Sequence, residues 1–362
     1  MQLRWWATWQ AIEPPTPTEL ADLLATRVLP RSQAFTVLIP ARNEAANISA
    51  CLHRVQQAAQ NSEVLVVDDH STDATPVLAR EAGASVSVLP KGEQGKKAAL
   101  NHGIAQATTP WIATLDADVA VGARWLDAIN AHTYPERVAV AGPVMLEHDN
   151  SWWQRWQALD FCGMMAITAA SLEHGHFAMG NGANLAFDKS AFAEVDGYEL
   201  PESQQSASGD DMVLLGKLIR RFPGRVAFAK TRDAVVTTRA QATVHDFVQQ
   251  RLRWAAKTGL NHQASLTVVL GVVWVFHLGL LLGPLLAAVN AISWVTLGLC
   301  WLVKLIVDFV LLRSATRFFG RAKLLDLSYP LGSLVHTFYV AGVGTLALLP
   351  VDFTWKGRRL RH

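Results

Sequence analysis

Cysteine is scarce in this chain, and the few that occur predict no disulfide framework. Only Cys51, Cys162 and Cys300 are present among 362 residues, and no two of them form a C-x-x-C pair. This spacing favours neither disulfide bonds nor a structural zinc site, and it is typical of a reducing compartment. The first 15 residues also lack the apolar core and the small-residue cleavage site of a secretory signal.

Two common nucleotide-binding motifs are missing as well. No G-x-G-x-x-G follows the first predicted strand, and the segment GEQGKK at 92–97 lacks the spacing of a Walker loop. A dehydrogenase and a P-loop nucleotidase are therefore disfavoured. The formal net charge is only +2, so the chain offers no overall field that would gather nucleic acid. We expect no nucleic-acid partner.

Charged side chains are absent from two long stretches near the C-terminus. One lies between Lys257 and Lys304 and the other between Asp326 and Asp352. As helices they would be about 70 Å and about 37 Å long, against a hydrocarbon core of about 30 Å. The pattern predicts a multi-pass membrane region at 258–352, with spans near 266–290, 292–312 and 328–350.

Basic residues beside these stretches indicate an orientation. Arg313, Arg317, Arg321 and Lys323 follow the second span, and a basic tail occupies 353–362. Such clusters mark the cytoplasmic side of a membrane, so the preceding globular part is expected to face the cytoplasm. A third full crossing would place the tail on the opposite side. Either the segment 328–350 re-enters or lies in the interface, or the charge rule fails here.

The N-terminal segment 1–33 is rich in tryptophan, with Trp5, Trp6 and Trp9 close together. Indole rings suit the headgroup level of a membrane, so an amphipathic interfacial segment is predicted. The alternative is that these rings pack on the globular part.

Between these regions, short apolar runs alternate with helical patterns. Strands are predicted at 36–40, 64–67, 85–89 and 111–115, and helices at 44–59, 73–82 and 96–107. Nearly all-apolar strands joined by helices indicate an α/β fold with a doubly wound, Rossmann-like sheet. Ligands of such sheets bind beyond the carboxyl ends of the strands.

Acidic residues follow two of the predicted strands. Asp68 and Asp69 end one strand, and Asp116 and Asp118 end another in the sequence TLDAD. Carboxylates at i and i+2 can share one oxygen-preferring ion, so Asp116 and Asp118 predict a divalent-cation site for Mg²⁺ or Mn²⁺. The alternative is surface carboxylates that cap a helix. Lys96 and Lys97 begin a predicted helix and can meet a phosphate there.

Five motifs occur in one order along residues 36–254: TVLIPARNE, VLVVDDHSTD, TLDAD, SGDD and QRLRW. Together they resemble glycosyltransferase family 2, in its membrane-associated branch with a Q-x-x-R-W signature. The resemblance covers about residues 34–257. It implies a GT-A nucleotide-sugar-binding domain at 34–257 and inverting transfer of a sugar from a nucleoside diphosphate to an acceptor.

The resemblance also implies roles for individual residues. Asp211 corresponds to the catalytic base of the family, and Asp210 beside it stands where many relatives have glutamate, so either acid is a candidate. Gln250 and Trp254 would meet the acceptor. The expected nucleotide-sugar contacts are Pro40, Ala41, Arg42, Glu44, Asp68, Asp69, Lys96, Lys97, Asp116, Asn181, Asn184 and Arg253.

The sequence thus predicts a membrane-bound inverting glycosyltransferase. Its donor would be a nucleotide-sugar, with uridine diphosphate implied by the resemblance, and its acceptor would be lipid-like. Two alternatives stay open at this point: a subunit of a processive polysaccharide synthase, and a non-catalytic membrane scaffold that retains the sugar-nucleotide fold. The sequence predicts no oligomeric state.

Overall fold

The computed structural model of the protein describes residues 33–133, 137–176, 178–199, 210–256, 264–349, 353–355 and 358–360. The chain divides into two compact units. The first comprises Met1–Glu147 and Ile167–Arg239, and the second comprises His148–Ala166 and Ala240–His362. The predicted interfacial segment 1–33 lies outside the described residues except for Gln33.

The first unit alternates strands and helices along the chain. Its strands are β1 (Phe35–Ala41), β2 (Glu63–Asp68), β3 (Ser85–Val88), β4 (Trp111–Thr114), β5 (Ala120–Val121), β6 (Ala139–Ala141), β7 (Val144–Glu147), β8 (Leu185–Asp188), β9 (Val226–Phe228) and β10 (Val236–Arg239). Its helices are α1 (Ile48–Ala58), α2 (Thr75–Glu81), α3 (Lys96–Gln106), α4 (Trp125–Asn130), α6 (Lys189–Glu194) and α7 (Asp210–Arg221), while α5 (Trp152–Glu173) belongs partly to each unit.

The main sheet has the order β3-β2-β1-β4-β8-β6-β9. The first four strands run parallel, which confirms the predicted βαβ alternation. β8 runs antiparallel to both β4 and β6, so the sheet is mixed. Helix α1 begins at Ile48, four residues later than expected, because Glu44 to Asn47 form a turn closed by the Asn47 amide on the Glu44 carbonyl (2.9 Å).

Apolar side chains cover the main sheet on both faces. Val37 and Ile39 of β1 pack with Leu52 of α1 in one buried cluster. Leu38 lies between them in sequence and packs with Leu100 of α3 in the other cluster. Because successive strand residues point to opposite faces, a run with no polar interruption needs a helix on each side. The two clusters hold the loops at the strand ends in fixed positions.

A three-stranded sheet of order β5-β10-β7 completes the first unit. The side chain of Asn184 forms hydrogen bonds with the segments around this sheet. The Asn184 amide donates to the carbonyls of Pro143 (2.9 Å) and Ala234 (2.8 Å), and its oxygen accepts from Trp125 Nε1 (3.1 Å). The residue is fully buried. The expected contact between Asn184 and the donor sugar is therefore corrected: these three groups engage its side chain, which joins two loops and a helix.

The second unit is helical, with a small hairpin near its end. Beside the first part of α5, it contains α8 (Val244–Ala256), α9 (Ala264–Ala288), α10 (Trp294–Phe318) and α11 (Tyr329–Leu346), followed by β11 (Phe353–Trp355) and β12 (Arg358–Leu360). Helix α11 packs against α9, α8 and α10.

Two helices in the described part of the chain are long and apolar enough to cross a bilayer. They are Leu266–Ala288 and Trp294–Phe318, with mean hydropathies of 2.3 and 2.2. Only 22% and 11% of their most apolar windows are buried inside the protein, so most of this surface is left exposed. Such apolar patches mark a membrane or a partner. The third predicted span contains α11, which does not meet the same criterion and stays a prediction.

Replacing Asn184 by aspartate should strongly destabilise the first unit. A carboxylate cannot donate to the Pro143 and Ala234 carbonyls, and it would place a charge in a fully buried position. We expect a loss of about 3–5 kcal/mol in the free energy of unfolding. Urea denaturation of purified protein, followed by circular dichroism, measures this difference.

The matched control is Asn61→Asp, which makes the same chemical change at an exposed position. It should alter the free energy of unfolding by no more than about 0.5 kcal/mol. Equal stability of the two variants would contradict the structural role assigned to Asn184.

Candidate active site

Two buried acids stand at the carboxyl end of β2. Asp68 is the last residue of the strand and Asp69 follows it, and each is 3% exposed. The Asp69 amide donates to the Ala41 carbonyl (2.9 Å), and Arg42 Nη1 donates to the Asp69 carbonyl (2.7 Å). Nη1 also lies 3.6 Å from Asp69 Oδ1. The parallel pairing of β1 with β2 thus sets Arg42 against the acids.

The two oxygens of Asp68 differ in their surroundings. Oδ2 accepts from the Ser71 amide (3.1 Å), whereas Oδ1 is buried and receives no hydrogen bond from any described residue. A buried carboxylate oxygen without a donor is costly. This atom therefore suits an N–H or O–H group of a ligand.

The N-terminus of α3 is fixed against the same acids. The Gly95 amide donates to Asp69 Oδ2 (3.1 Å), and Gly95 has φ +95°, a conformation that favours glycine. Lys96, the first helical residue, pairs through Nζ with the Asp116 carboxylate. Lys97 instead extends to Glu199 (3.4 Å). Of the two lysines predicted to meet phosphate, only Lys96 has its side chain among the site carboxylates.

Asp116 and Asp118 follow β4 on either side of the buried Ala117. The Asp116 side chain is 36% exposed, and Asp118 is exposed and accepts from Thr238 Oγ1 (3.4 Å). Both acids influence Cys51: burial, together with the charges of Asp118 and Asp116, raises the pKa of that thiol to about 12. Cys51 is therefore a neutral thiol.

The donor set fits an oxygen-preferring divalent cation that shares its shell with a substrate. Among the described residues, no group of three or more His, Cys, Asp and Glu side chains is arranged to hold a metal ion. Asp116 and Asp118 supply two carboxylates, which is the number that Mg²⁺ commonly takes from a protein when substrate phosphates complete its coordination. These two residues would hold the ion.

Asp211 lies at the start of α7, near Lys96. Its Oδ2 accepts from the Gly182 amide (2.9 Å) and its Oδ1 from the Met212 amide (2.9 Å). A Cβ atom placed on Gly182 would be 3.5 Å from Lys96 Nζ and 3.6 Å from Asp211 Cβ. Lys96 Nζ and Asp211 therefore both lie beside Gly182.

Asp210 is the first residue of α7, so it precedes Asp211 within one helical turn. Residues 208 and 209 of the SGDD motif lie outside the described part of the chain.

The other predicted donor residues take up positions around these loops. Glu44 is nearly buried and accepts from Asn47 Nδ2 (2.9 Å). Pro40 pairs with Val67 at the end of β1. Asn181 Oδ1 accepts from the Ala183 amide (3.0 Å), which forms the turn that presents Gly182.

The Q-x-x-R-W residues lie in the second unit, on α8. Gln250, Arg253 and Trp254 are half-buried there. The Trp254 ring packs 5.9 Å from Phe161 and lies 4.4 Å from the guanidinium carbon of Arg251. Part of the indole surface is therefore covered by protein groups.

Arg251 is a residue that the sequence analysis missed. It occupies a variable position of the Q-x-x-R-W signature, yet it is 2% exposed and pairs with Asp160 (2.9 Å). An available signal was its spacing: Phe247, Arg251 and Trp254 fall at i, i+4 and i+7 and so share one helical face. Its partner Asp160 is 91 residues away in sequence, and no local pattern links the two.

Comparisons with known proteins agree with this geometry. Residues 36–195 match the family described as Glycosyl transferase family 2. The pre-mycofactocin glycosyltransferase of Mycobacterium tuberculosis is 30% identical over 197 residues, which cover 52% of this chain and 40% of that protein. The 4,4'-diaponeurosporenoate glycosyltransferase of Staphylococcus aureus is 40% identical over 91 residues, which cover 24% of each chain. The chain thus matches less than half the length of these relatives.

Among solved structures, a mannosyltransferase from Pyrobaculum calidifontis, in complex with GDP-Man and Mn²⁺, is similar over 95% of this chain and 94% of that one, with a TM-score of 0.55 and 19% identity. This likeness concerns the fold and confirms a Rossmann-like GT-A core followed by apolar helices. Together with the match at 36–195 and the curated relatives, it supports a family 2 glycosyltransferase domain within this chain.

Proposed function

We propose that this protein is a membrane-bound inverting glycosyltransferase, which transfers a sugar from a nucleoside diphosphate to a lipid-like acceptor. The observation that carries the proposal is the convergence of Asp68, Asp116, Lys96 and Asp211 at one edge of the main sheet. A nucleotide-sugar presents hydrogen-bond donors, a diphosphate and a reactive anomeric carbon, and these residue types suit those three parts.

Asp68 is suited to hold the nucleoside. Its buried Oδ1 receives no hydrogen bond within the described chain, and an N–H of the base or a hydroxyl of the ribose can donate to it. Asp69 fixes the neighbouring loop through Gly95. Uridine diphosphate is the donor nucleotide that we expect, and guanosine diphosphate is the second to test, because GDP-Man is bound in the Pyrobaculum structure.

Lys96 is suited to the diphosphate. It begins α3, where the first backbone N–H groups of the helix and the helix dipole favour an anion, and its ammonium group adds a full charge. A divalent cation held by Asp116 and Asp118 would neutralise charge on the departing diphosphate. Mn²⁺ is present in the similar Pyrobaculum structure, and either Mn²⁺ or Mg²⁺ suits this donor set.

Asp211 is suited to act as the general base. Each of its oxygens accepts a backbone N–H, which favours the ionised form and fixes the orientation of the carboxylate. An ionised carboxylate can take the proton of the acceptor hydroxyl as that oxygen attacks the anomeric carbon. Attack from the face opposite the leaving diphosphate inverts the anomeric configuration.

The apolar helices of the second unit support a membrane location and a lipid-like acceptor. Helices α9 and α10 expose large apolar side chains along their lengths, including Val272, Leu285 and Val295. One relative is named for glycosylation of diaponeurosporenoate and another for that of pre-mycofactocin. In the proposed enzyme the catalytic unit faces the cytoplasm, and Gln250, Arg253 and Trp254 contribute to substrate binding.

A donor screen tests the proposal as a whole. Purified full-length protein is incubated with a total lipid extract, Mn²⁺, and UDP- or GDP-linked hexoses, and the lipids are analysed by mass spectrometry. We expect a mass increase of one hexose on a lipid with one of the donors. Release of free sugar without any glycosylated lipid would contradict the proposed acceptor class.

Asp118→Asn should abolish metal-dependent donor binding and leave the fold intact. The side chain is exposed, so its loss removes a cation ligand without disturbing the core. Titration calorimetry with Mn²⁺ and the nucleotide-sugar measures the affinity. Asp127→Asn, an exposed acid on α4, is the matched control and should bind like the wild type. Unchanged metal-dependent affinity in folded Asp118→Asn would disprove the assignment.

Asp211→Asn should lower kcat by about two to four powers of ten, as expected when a general base is removed. Donor affinity should change little, because asparagine can still accept the Gly182 amide hydrogen. Asp210→Asn is the companion variant and should have a smaller effect. Steady-state kinetics separates the two acids, and the assignment of the base is reversed if only Asp210→Asn is inactive.

A further inference from the structure

The second unit contains a group of polar residues among its apolar helices, which we call the inner polar cluster. It consists of Asp160 on α5, Arg251 on α8, His277 on α9, Lys304 and Asp308 on α10, and Ser333 and His336 on α11. Five helices thus contribute to one polar region. Ionisable side chains at such positions are rare unless they serve a function.

The Arg251 and Asp160 pair forms one end of the cluster. Arg251 Nη2 donates to Asp160 Oδ2 (2.9 Å), and the two side chains are 1% and 6% exposed. The guanidinium carbon lies 4.8 Å from the ring centre of Phe247 and 5.4 Å from that of Tyr339. Aromatic faces and one carboxylate therefore fix the plane of the guanidinium group.

Lys304 and Asp308 form the other end. Lys304 Nζ donates to Asp308 Oδ2 (2.5 Å) and to Ser333 Oγ (2.9 Å), and its side chain is 2% exposed. The cluster therefore holds two cations, Arg251 and Lys304, and two anions, Asp160 and Asp308. Because the charges balance, a phosphate or a carboxylate would add an uncompensated negative charge, so a neutral group is the appropriate ligand.

Two histidines in the cluster each have a ring nitrogen that carries no hydrogen and can accept a hydrogen bond. His277 Nδ1 lies 2.7 Å from the Val273 carbonyl, which only accepts, so the hydrogen of a neutral ring is on Nδ1 and Nε2 is an acceptor. His336 Nε2 faces Asp160 Oδ1 at 3.5 Å, which places the hydrogen on Nε2 and leaves Nδ1 as an acceptor. The two ring centres are 5.2 Å apart.

Three buried polar atoms of the cluster have no hydrogen-bond partner among the described residues. They are His277 Nε2, His336 Nδ1 and Arg251 Nε. The first two accept and the third donates. A hydroxyl group can accept from Arg251 Nε and donate to one of the two imidazole nitrogens, whereas a group that only accepts, such as an ether, can pair with neither nitrogen.

We propose that the inner polar cluster binds one neutral hydroxyl group of the lipid-like acceptor. The hydroxyl oxygen accepts from Arg251 Nε, and its hydrogen is donated to an imidazole nitrogen of His277 or His336. This site recognises the acceptor and carries out no chemistry. The inference rests on the proposed function, because that function supplies the lipid-like molecule.

Two side chains of the cluster are partly exposed, although the three atoms without a partner among the described residues are buried. The side chains of His336 and Asp308 are 30% and 32% exposed, whereas those of Arg251 and Lys304 are almost completely buried. Asp308 and Lys304 lie near the middle of the 25-residue helix α10. A lipid beside this helix can therefore present a hydroxyl to the cluster from within the apolar region.

Binding of simple lipids to the full-length protein tests the site without any nucleotide-sugar. In phosphatidylcholine nanodiscs, the probes are hexadecanol, hexadecyl methyl ether and hexadecyl phosphate, and native mass spectrometry measures their occupancy. We expect hexadecanol to bind at least about tenfold more tightly than either comparison compound, because only it can accept from Arg251 Nε and donate to an imidazole nitrogen without adding charge. Equal binding of the alcohol and the ether would overturn the proposal, since it would show that ordered water alone occupies the site.

Variants separate recognition from folding. His336→Phe and His277→Phe each keep a ring in place and remove an acceptor nitrogen, and the variant that removes the partner of the hydroxyl hydrogen should weaken hexadecanol binding by about tenfold. His148→Phe is the matched control in the second unit and should bind like the wild type. His336→Gln restores an acceptor oxygen and should recover part of the affinity, which a variant acting only through misfolding would not show. Unchanged hexadecanol affinity in both phenylalanine variants would overturn the site.

The two proposals fail in different ways. A protein that binds hexadecanol selectively but glycosylates no lipid with any donor contradicts the proposed function alone. A protein that glycosylates a lipid but binds hexadecanol no better than the ether contradicts the hydroxyl site alone.

Discussion

Negative charge concentrated at one edge of the main sheet is the constraint around which the first unit is organised. Parallel strands deliver Asp68, Asp69, Asp116 and Asp118 to the same edge, and two of these residues are almost fully buried. Carboxylates so close together repel one another unless donors and cations offset them. The surrounding loops supply both, through Arg42 on Asp69, Lys96 on Asp116, and the Ser71 and Gly95 amides.

The second unit also contains charged groups that need partners, and it provides them as ion pairs among its helices. Its ionisable groups lie among apolar helices, where an unpaired charge is far more costly than at a sheet edge. Arg251 is therefore matched by Asp160, and Lys304 by Asp308 and Ser333. A buried pair of this kind is weak support for stability, because desolvation offsets the attraction between the charges. The proposed recognition role accounts for its presence better than stability does, and the nitrogens of His277 and His336 that have no partner among the described residues agree with that role.

The sequence predicted the parts of the fold that depend on local pattern. Strands β1 to β4 and helices α1 to α3 formed close to the predicted bounds, because nearly all-apolar runs between helical segments leave few other arrangements. The start of α3 at Lys96 was also predicted. By contrast, the antiparallel direction of β8 depends on the path of the chain through α5, which no local period encodes. Asn184 is a second example, because the sequence does not distinguish an asparagine that contacts a sugar from one that forms buried hydrogen bonds within the protein.

Lys97 and Arg251 show that the role of a residue depends on the side chains that it contacts in the folded protein. Lys96 and Lys97 are both lysines at the start of α3, yet Lys96 pairs with Asp116 and Lys97 with Glu199, about a hundred residues later in the sequence. Arg251 and Arg253 likewise stand two positions apart on α8. Burial against Asp160 distinguishes the first of them, while its neighbour in the signature is half-buried.

The pair between Lys96 and Asp116 has a consequence for the order of events in the proposed reaction. Lys96 already neutralises Asp116, so a divalent cation that binds Asp116 alone must compete with an ammonium group for the same carboxylate. A nucleoside diphosphate removes this competition, because its phosphates offer Lys96 another anionic partner beside the N-terminus of α3. Cation and nucleotide-sugar therefore strengthen each other's binding, and by linkage the two effects are equal in free energy. The charges of the site thus predict weak affinity for the metal ion alone. Tighter binding of the metal ion is expected when the complete nucleotide-sugar is present.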